Sequence, residues 1–384
     1  MTDASAEPHF DKRAEVVRGG FATPHYITSV PGKLSGCIYR SDGGKVVLSE
    51  RYGGHVGDHL ISDNPSYVPF PREGLRLHGR GLYLGHDMGG HYGHFITEGL
   101  SSFWALEDFP AGSFDYFLLH PFVFGTARPS YVKFCLSRFG IAEEKIRVVG
   151  SEPIMFDELV VPERLFRLNH SADARLRWVY AQIASGLDQP LGASSRLYVS
   201  RRKFSRRNFD RVVANEVWIE RAFQDHGFEV MYPEETPFPV QVARYRHAEV
   251  LAGISGSGLH NSIFMREGRA LLELGDPRYE GRPAPTQRLC NTVSGVRNTF
   301  IPFTGERFGL KETMLFDIDF LRKELERAEA AGLAGASVSP RIGSRGPAFL
   351  SSLEVIYLGL RPSAGRLARS LLEAVRPKRA RVSA

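Results

Sequence analysis

Between Val250 and Gly275 the sequence VLAGISGSGLHNSIFMREGRALLELG leaves few ways to fold. A short β-branched and apolar run ending at Gly253 demands a buried strand, and Gly256 and Gly258 then permit a tight turn whose backbone stands clear of side chains. LHNSIF opens a short helix, and RALLELG is a second apolar strand. Strand, turn, helix and strand in that order form the repeating unit of a parallel α/β sheet.

The same order recurs upstream. From Leu82 the sequence predicts a strand at LYLG, a Gly-rich turn, an amphipathic helix over HYGHFITEGLSSFWALE and a strand at FDYFLLH. A helix near 130–139, strands at IRVVG and FDELVVP and a helix around 172–183 come next. After the Gly, Pro and Ser of LDQPLGASS a second series starts with the strand RLYVSRR. A helix over 215–225, the strand FEVMY, the helix FPVQVARYRHA and the 250–275 stretch complete it. Residues 1–80 read as irregular to short-stranded, with little function to draw from them. The expected architecture is α/β: two Rossmann-like lobes facing a cleft, 1–190 and 191–310. A long closing helix over 311–332 and a low-complexity basic C-terminal tail over 333–384 complete the division.

Composition bounds the function. With 42% hydrophobic and 24% charged residues, the 384-residue chain is globular. The net charge of +6 suggests nucleic acid until it is located: 361–384 hold seven basic residues against one acid, Glu373, leaving the remainder neutral. We therefore expect no nucleic-acid partner, and a tail suited to the inner-membrane surface. Cys37, Cys135 and Cys290 lie too far apart in the sequence for a disulfide framework or a paired-cysteine zinc site. The first residues lack a signal peptide's apolar core and no later run is long enough to span a bilayer, so the expected location is cytoplasmic, peripheral on the inner membrane if the tail binds there.

Two stretches carry chemistry. A helix opening after Gly256-Ser257-Gly258 directs backbone amides at a phosphate, although such turns also serve packing; neither a P-loop lysine nor a dinucleotide spacing is present. Glu273, at the end of the next strand, can accept from ribose hydroxyls or cap a turn. Arg201 and Arg202, just past a strand, suit the charge of a leaving diphosphate, or form a solvated loop with Lys203, Arg206 and Arg207. The second stretch is HDMGGHYGHFITEGL. His91, His94 and Glu98 lie on one helix face, with His86 and Asp87 just before it. A metal site, core packing and a histidine base oriented by a carboxylate all compete here. Asp317 and Asp319, spaced as a metal-binding D-x-D, are read instead as the acidic start of a helix.

These segments together resemble glycosyltransferase family 61, long described as a domain of unknown function and assigned to capsular polysaccharide biosynthesis. The resemblance spans about 82–277. It rests on YGHFITEGLSSFWAL, SRLYVSRR, the Asn215-Glu216 pair, GFEVMYPEETPFPVQV and the glycine turn ending in LHNSIF with the LLEL after it. It implies the two-lobed GT-B type, inversion and no bound metal, with a nucleotide sugar, expected to be a UDP-sugar, as co-substrate and no other cofactor. The acceptor it implies is a polysaccharide or lipid-linked glycan in capsule or exopolysaccharide synthesis. It makes 1–190 the acceptor-side lobe and 191–310 the nucleotide-sugar-binding lobe, and the donor contacts carried over by position are Arg201, Arg202, Gly256, Gly258, Leu259, Asn261 and Glu273, with Ser257 and His260 of the same turn as further candidates. The base falls to His94, with Glu98 as orienter or substitute and Asp87 as a further candidate. Where the family carries His-Gly-Ala-Gly-Leu-Thr-Asn in the turn, this chain departs at Ser255 and His260. A non-catalytic nucleotide- or sugar-binding subunit, and a metal-dependent hydrolase built on His86 to Glu98, are the alternatives.

Overall fold

The computed structural model describes residues 13–24, 35–51, 64–122, 128–187, 194–204, 212–308 and 313–332. The basic tail, Arg206, Arg207 and most of the LDQPLGASS segment lie outside these residues.

The apolar runs form two sheets, as their order predicts. The first contains β1 (Ala14–Arg18), β2 (Phe21–Ala22), β3 (Ile38–Tyr39), β4 (Leu75–Asp87), β5 (Tyr116–Pro121), β6 (Ile146–Val148) and β7 (Ile154–Pro162). Its order is β3-β2-β7-β4-β5-β6, with β1 also on β7. The β7-β4-β5-β6 portion is parallel, and β1 and β2 run antiparallel along β7. A two-stranded piece, β8 (Phe166–Arg167) and β9 (Ser171–Ala172), stands apart. The second sheet is wholly parallel, in the order β11 (Glu229–Met231), β10 (Arg196–Val199), β12 (Val250–Ile254), β13 (Ala270–Leu274) and β14 (Arg297–Ile301).

In both sheets the chain winds first one way from an initial strand and then the other. The reversal lies beside β4 in the first sheet and between β10 and β12 in the second. Such a switch point leaves a crevice beyond the carboxyl ends of the strands, where α/β proteins bind ligands. Both chemistry-bearing stretches lie there: HDMGGHYGH starts in the last residues of β4 and runs on past them, and SGSG comes directly after β12.

One apolar cluster runs continuously from the first sheet to the second. It takes Leu82 and Phe117 from one, Leu251 and Leu271 from the other, and Phe95, Tyr180, Phe238 and Phe264 from the helical layer between them. Phe238 packs edge-on to Phe134 and Phe264, tying the helices Ser130–Arg138 and Phe238–His247 to the segment after the glycine turn.

Two expected elements differ. The helix predicted over 91–107 is broken: one α turn, Tyr92–His94, passes into a π turn, Phe95–Gly99, and regular helix resumes only at Ala105–Asp108. Side chains occupy the carbonyls there, Tyr180 Oη donating to Ile96 O at 2.6 Å and Ser101 Oγ to Glu98 O at 2.6 Å. The closing helix is shorter than 311–332. Thr313–Phe316 is a strand, β16, paired with β15 (Gly305–Phe308), and the helix spans Ile318–Ala330. Asp317 caps that helix by accepting from Phe320 N at 3.0 Å, the role its position predicts. Among the described residues no helix is long and apolar enough to cross a membrane.

Candidate active site

The loop after β4 turns at Gly89 and Gly90, and His91 starts the helical segment with its Nδ1 accepting from His94 N at 3.4 Å. Three residues later His94 stands half-buried, its Nδ1 2.6 Å from Glu98 Oε2. Glu98 is buried and is held from behind by Arg51, Nε to Oε1 at 2.9 Å and Nη2 to Oε2 at 3.0 Å, a two-point ion pair between buried groups. Burial alone raises the Glu98 carboxyl. The Arg51 charge and the hydrogen bonds from His94 and Arg51 outweigh it and hold the group at about 2. Glu98 is thus a fixed anion. Its contact assigns the proton of a neutral His94 ring to Nδ1 and leaves the Nε2 lone pair as acceptor.

The other members of the cluster are divided among separate partners. His86 is buried, with Nδ1 2.6 Å from Arg164 Nη2 and its ring tilted against His120. Asp87, also buried, accepts from Arg128 Nη2 at 2.8 Å; burial pushes its carboxyl up and the Arg128 charge opposes this. Among the described residues no three His, Cys, Asp or Glu groups converge as a metal-ion site. The fold keeps His91, His94 and Glu98 together, with the two imidazole ring centroids 4.5 Å apart, and gives His86 and Asp87 arginine partners of their own.

On the second sheet Gly256 adopts φ +149°, a conformation that L side chains rarely occupy, and a Cβ at Gly258 would lie 3.2 Å from Val199 Cγ1. The first glycine makes the turn and the second lets it pack on the end of β10. The turn leads into a 3-10 helix of six residues, Leu259–Phe264, so little dipole builds up at its start. Gly256, Ser257 and Gly258 are partly accessible, whereas Leu259, His260 and Asn261 are buried. His260 Nδ1 lies 2.9 Å from Gln287 Oε1, and Gln287 in turn donates to Ser262 Oγ and Asn291 Oδ1 at 2.8 and 2.9 Å.

Glu273 does not reach a crevice. Its carboxylate is fully buried, accepting from Ser255 Oγ at 2.7 Å, Ala284 N at 2.9 Å and Asn298 Nδ2 at 2.8 Å. It anchors the first residue of the turn from below, so the expected ribose contact gives way to support. Burial pushes its carboxyl up, and those three hydrogen bonds pull against the rise.

Arg201 and Arg202 lie just past β10, next to the turn across the switch point. Their loop is tied to the helix Glu216–Asp225. Arg201 N donates to Glu216 Oε1 at 2.5 Å, Ser200 Oγ to Glu220 Oε1 at 2.6 Å, and Arg202 Nε to Glu220 Oε1 at 2.9 Å. Arg202 Nη2 also donates to Tyr232 Oη at 2.6 Å, and Lys203 pairs with Glu235. Burial, aided by the neighbouring Glu220 charge, raises Glu216 to about 7 against the opposing hydrogen bond and charge of Arg201.

The two stretches touch. Tyr92 Oη donates to Asn261 Oδ1, and a Cβ at Gly93 would lie 2.5 Å from Ser257 Oγ. His94 therefore stands one residue from a direct contact with the glycine turn, 163 positions further along the sequence at Ser257. Arg51, Tyr92 and Arg164 carry this arrangement and were not singled out from sequence. Tyr92 lies within the YGHF motif, whereas Arg51 and Arg164 have no local signal, because each acts across a long sequence separation.

At the switch points of two α/β sheets the structure thus places a histidine–carboxylate pair on one side and a partly accessible glycine turn on the other, joined through Tyr92–Asn261 and Gly93–Ser257. Residues 92–272 match the family model described as Glycosyltransferase 61, and this stretch of the chain belongs to that family, as its motifs indicate. The match begins at Tyr92 and ends at Leu272, enclosing His94, Glu98, Arg201, Arg202 and the turn. The class is thus glycosyltransferase, with a sugar donor and a glycan acceptor as its general partners. No curated protein matches the chain.

Proposed function

We propose that this chain is an inverting, metal-independent glycosyltransferase of GT-B type that moves a sugar from a nucleotide-sugar donor, a UDP-sugar, to a polysaccharide or glycolipid acceptor in capsule or exopolysaccharide synthesis. The observation that carries the proposal is the His94–Glu98 pair lying directly after Gly93, the residue that packs on Ser257 of the glycine turn. His94 Nε2 takes the proton of an acceptor hydroxyl as that oxygen attacks the anomeric carbon from the face opposite the nucleoside diphosphate. The bond from that carbon to the diphosphate oxygen breaks, its electron pair leaves with the diphosphate, and the configuration inverts. Backbone at Gly256–Gly258 and the cations of Arg201, Arg202 and Lys203 neutralise the departing charge, with Arg202 and Lys203 exchanging Glu220 and Glu235 for phosphate oxygens. Leu259, His260, Asn261 and Glu273 act from beneath, holding the shape of the turn. Asp87, locked to Arg128, is a support of the loop and not the base.

A thermal-shift screen of nucleotides and nucleotide sugars, then a transfer assay with the stabilising donor, tests the proposal. Stabilisation by a uridine diphosphate and transfer that falls at least about 100-fold in His94→Ala are expected. Donor binding with wild-type transfer in His94→Ala would remove His94 as base. Binding without any transfer would favour the non-catalytic subunit, and metal-dependent hydrolysis abolished by a chelator would favour the hydrolase.

A further inference from the structure

Arg51 comes from a stretch of the chain with no function legible in its sequence, yet it crosses 47 positions to grip Glu98 through both carboxylate oxygens. Each partner is buried, with side-chain exposures of 7% and 1%. The guanidinium also lies 4.9 Å from the Phe122 ring centroid, and Phe122 meets the His94 ring edge-on at 5.4 Å. Two contacts thus connect Arg51 to His94, one through Glu98 and one through Phe122. Arg51 itself does not reach the reacting atoms; anything it contributes passes through these neighbours.

Resting on the proposed role of His94, we infer that Arg51 is a positioning residue: through Glu98 it holds the His94 ring in the form protonated at Nδ1, with Nε2 as the proton acceptor. The physical reason is the fork. A carboxylate buried with a single hydrogen-bond donor can rotate or take up a proton, and a protonated Glu98 would compete to donate to Nδ1 and favour the opposite tautomer. Two parallel N–H···O bonds fix both oxygens and keep the anion, so among the described residues the remaining side-chain donor to it is the histidine. The charged and titratable groups acting on Glu98 are Arg51 and His94 in contact and Arg164 further away. Arg164 leans on His86 and therefore does not replace Arg51.

The test uses the full chain with Arg51→Met, Arg51→Lys, Glu98→Gln and the Arg51→Met/Glu98→Gln double variant. Each is checked for folding by circular dichroism before assay. The expected result is a kcat lowered about 100-fold in Arg51→Met, donor KM within about twofold, partial recovery in Arg51→Lys, and a double variant no more than about twofold slower than Glu98→Gln alone. Nitrogen-15 spectra of labelled histidine supply a readout independent of turnover. In the wild type His94 shows a protonated Nδ1 and an unprotonated Nε2, and in Arg51→Met this separation is lost or reversed. Multiplying losses in the double variant, or a wild-type His94 spectrum in folded Arg51→Met, would overturn the inference. If the wild type transfers no sugar, the proposed function fails while the spectra still decide the role of Arg51; if Arg51→Met does not fold, Arg51→Lys with an unchanged His94 spectrum and unchanged kcat overturns it.

Discussion

The His94 segment and the glycine turn occupy equivalent places, each just past a parallel strand at a switch point, but they are built by opposite means. The first is charged and clamped: Glu98, Asp87 and His86 are buried, and an arginine holds each of them. The second is neutral where it meets the crevice, and its exposed part is mostly backbone. Its support comes from Glu273 beneath Ser255 and from the amide and imidazole network around Gln287. A general base needs its ionisation state and orientation fixed, which ion pairs in a low-dielectric interior accomplish. A surface that must come close to phosphates needs the opposite, small residues and few competing side chains. In the proposed function, proton chemistry falls to the first sheet and ligand approach to the second.

The largest effect should break this contrast at the first stretch. His94→Ala is expected to lower transfer at least about 100-fold, roughly 3 kcal/mol in barrier, while circular dichroism and melting temperature stay close to wild type, because the side chain is half-buried and its removal exposes no core. A loss of folding instead would make His94 a structural residue. Next, Tyr92→Phe removes the donor to the buried Asn261 Oδ1 and should cost about 1–3 kcal/mol by urea denaturation, with the Tyr92→Phe/Asn261→Leu double variant costing less than the sum of the two single changes. Full additivity would mean that the contact between the two stretches carries no energy.

Glu216 sharpens the comparison by pH. Its folded-state value, about 7, lies above the ordinary 4.5. Between these values the folded protein retains a proton that the unfolded chain has released, so the contribution is fully present below about 4.5 and is lost as the pH rises to about 7. Stability measured across that range should decline with pH in the wild type and decline less in Glu216→Gln; equal slopes would disprove the raised carboxyl. The smallest effect is expected from Gly93→Ala, whose new Cβ crowds Ser257. About 1 kcal/mol should be lost, and Ser257→Gly in the same chain should restore most of it. No recovery would place the strain elsewhere.

Much of the α/β order was legible because apolar runs of strand length and helical periodicity are local properties. β10 to β13 and the helices Glu216–Asp225 and Phe238–His247 lie where those patterns place them. The break at Phe95–Gly99 was not legible, since HYGHFITEGLSSFWALE has unbroken helical periodicity and the π turn is stabilised by Tyr180, which arrives from another helix. β16 was missed for a related reason: its strand character depends on pairing with Gly305–Phe308. Among site residues, His94 and Glu98 were recognisable from their spacing and the glycine turn from its composition. The separation of His86 and Asp87 from them was hidden, because thirteen neighbouring positions, 86–98, read the same whether or not a strand ends between them.

The sequence by itself determined the α/β order, the glycine turn and the placing of His94 and Glu98 on one helical stretch, since each rests on residues close together in the chain, and it indicated the family through several such motifs in order. Tertiary structure alone decided that Glu273 supports the turn and does not face the crevice, that Asp87 is bound to Arg128, that Tyr92 and Gly93 meet Asn261 and Ser257, and that Arg51 holds Glu98. These contacts join positions tens to more than a hundred residues apart, and which distant partners meet is set by the winding of the two sheets and the packing of the helices between them.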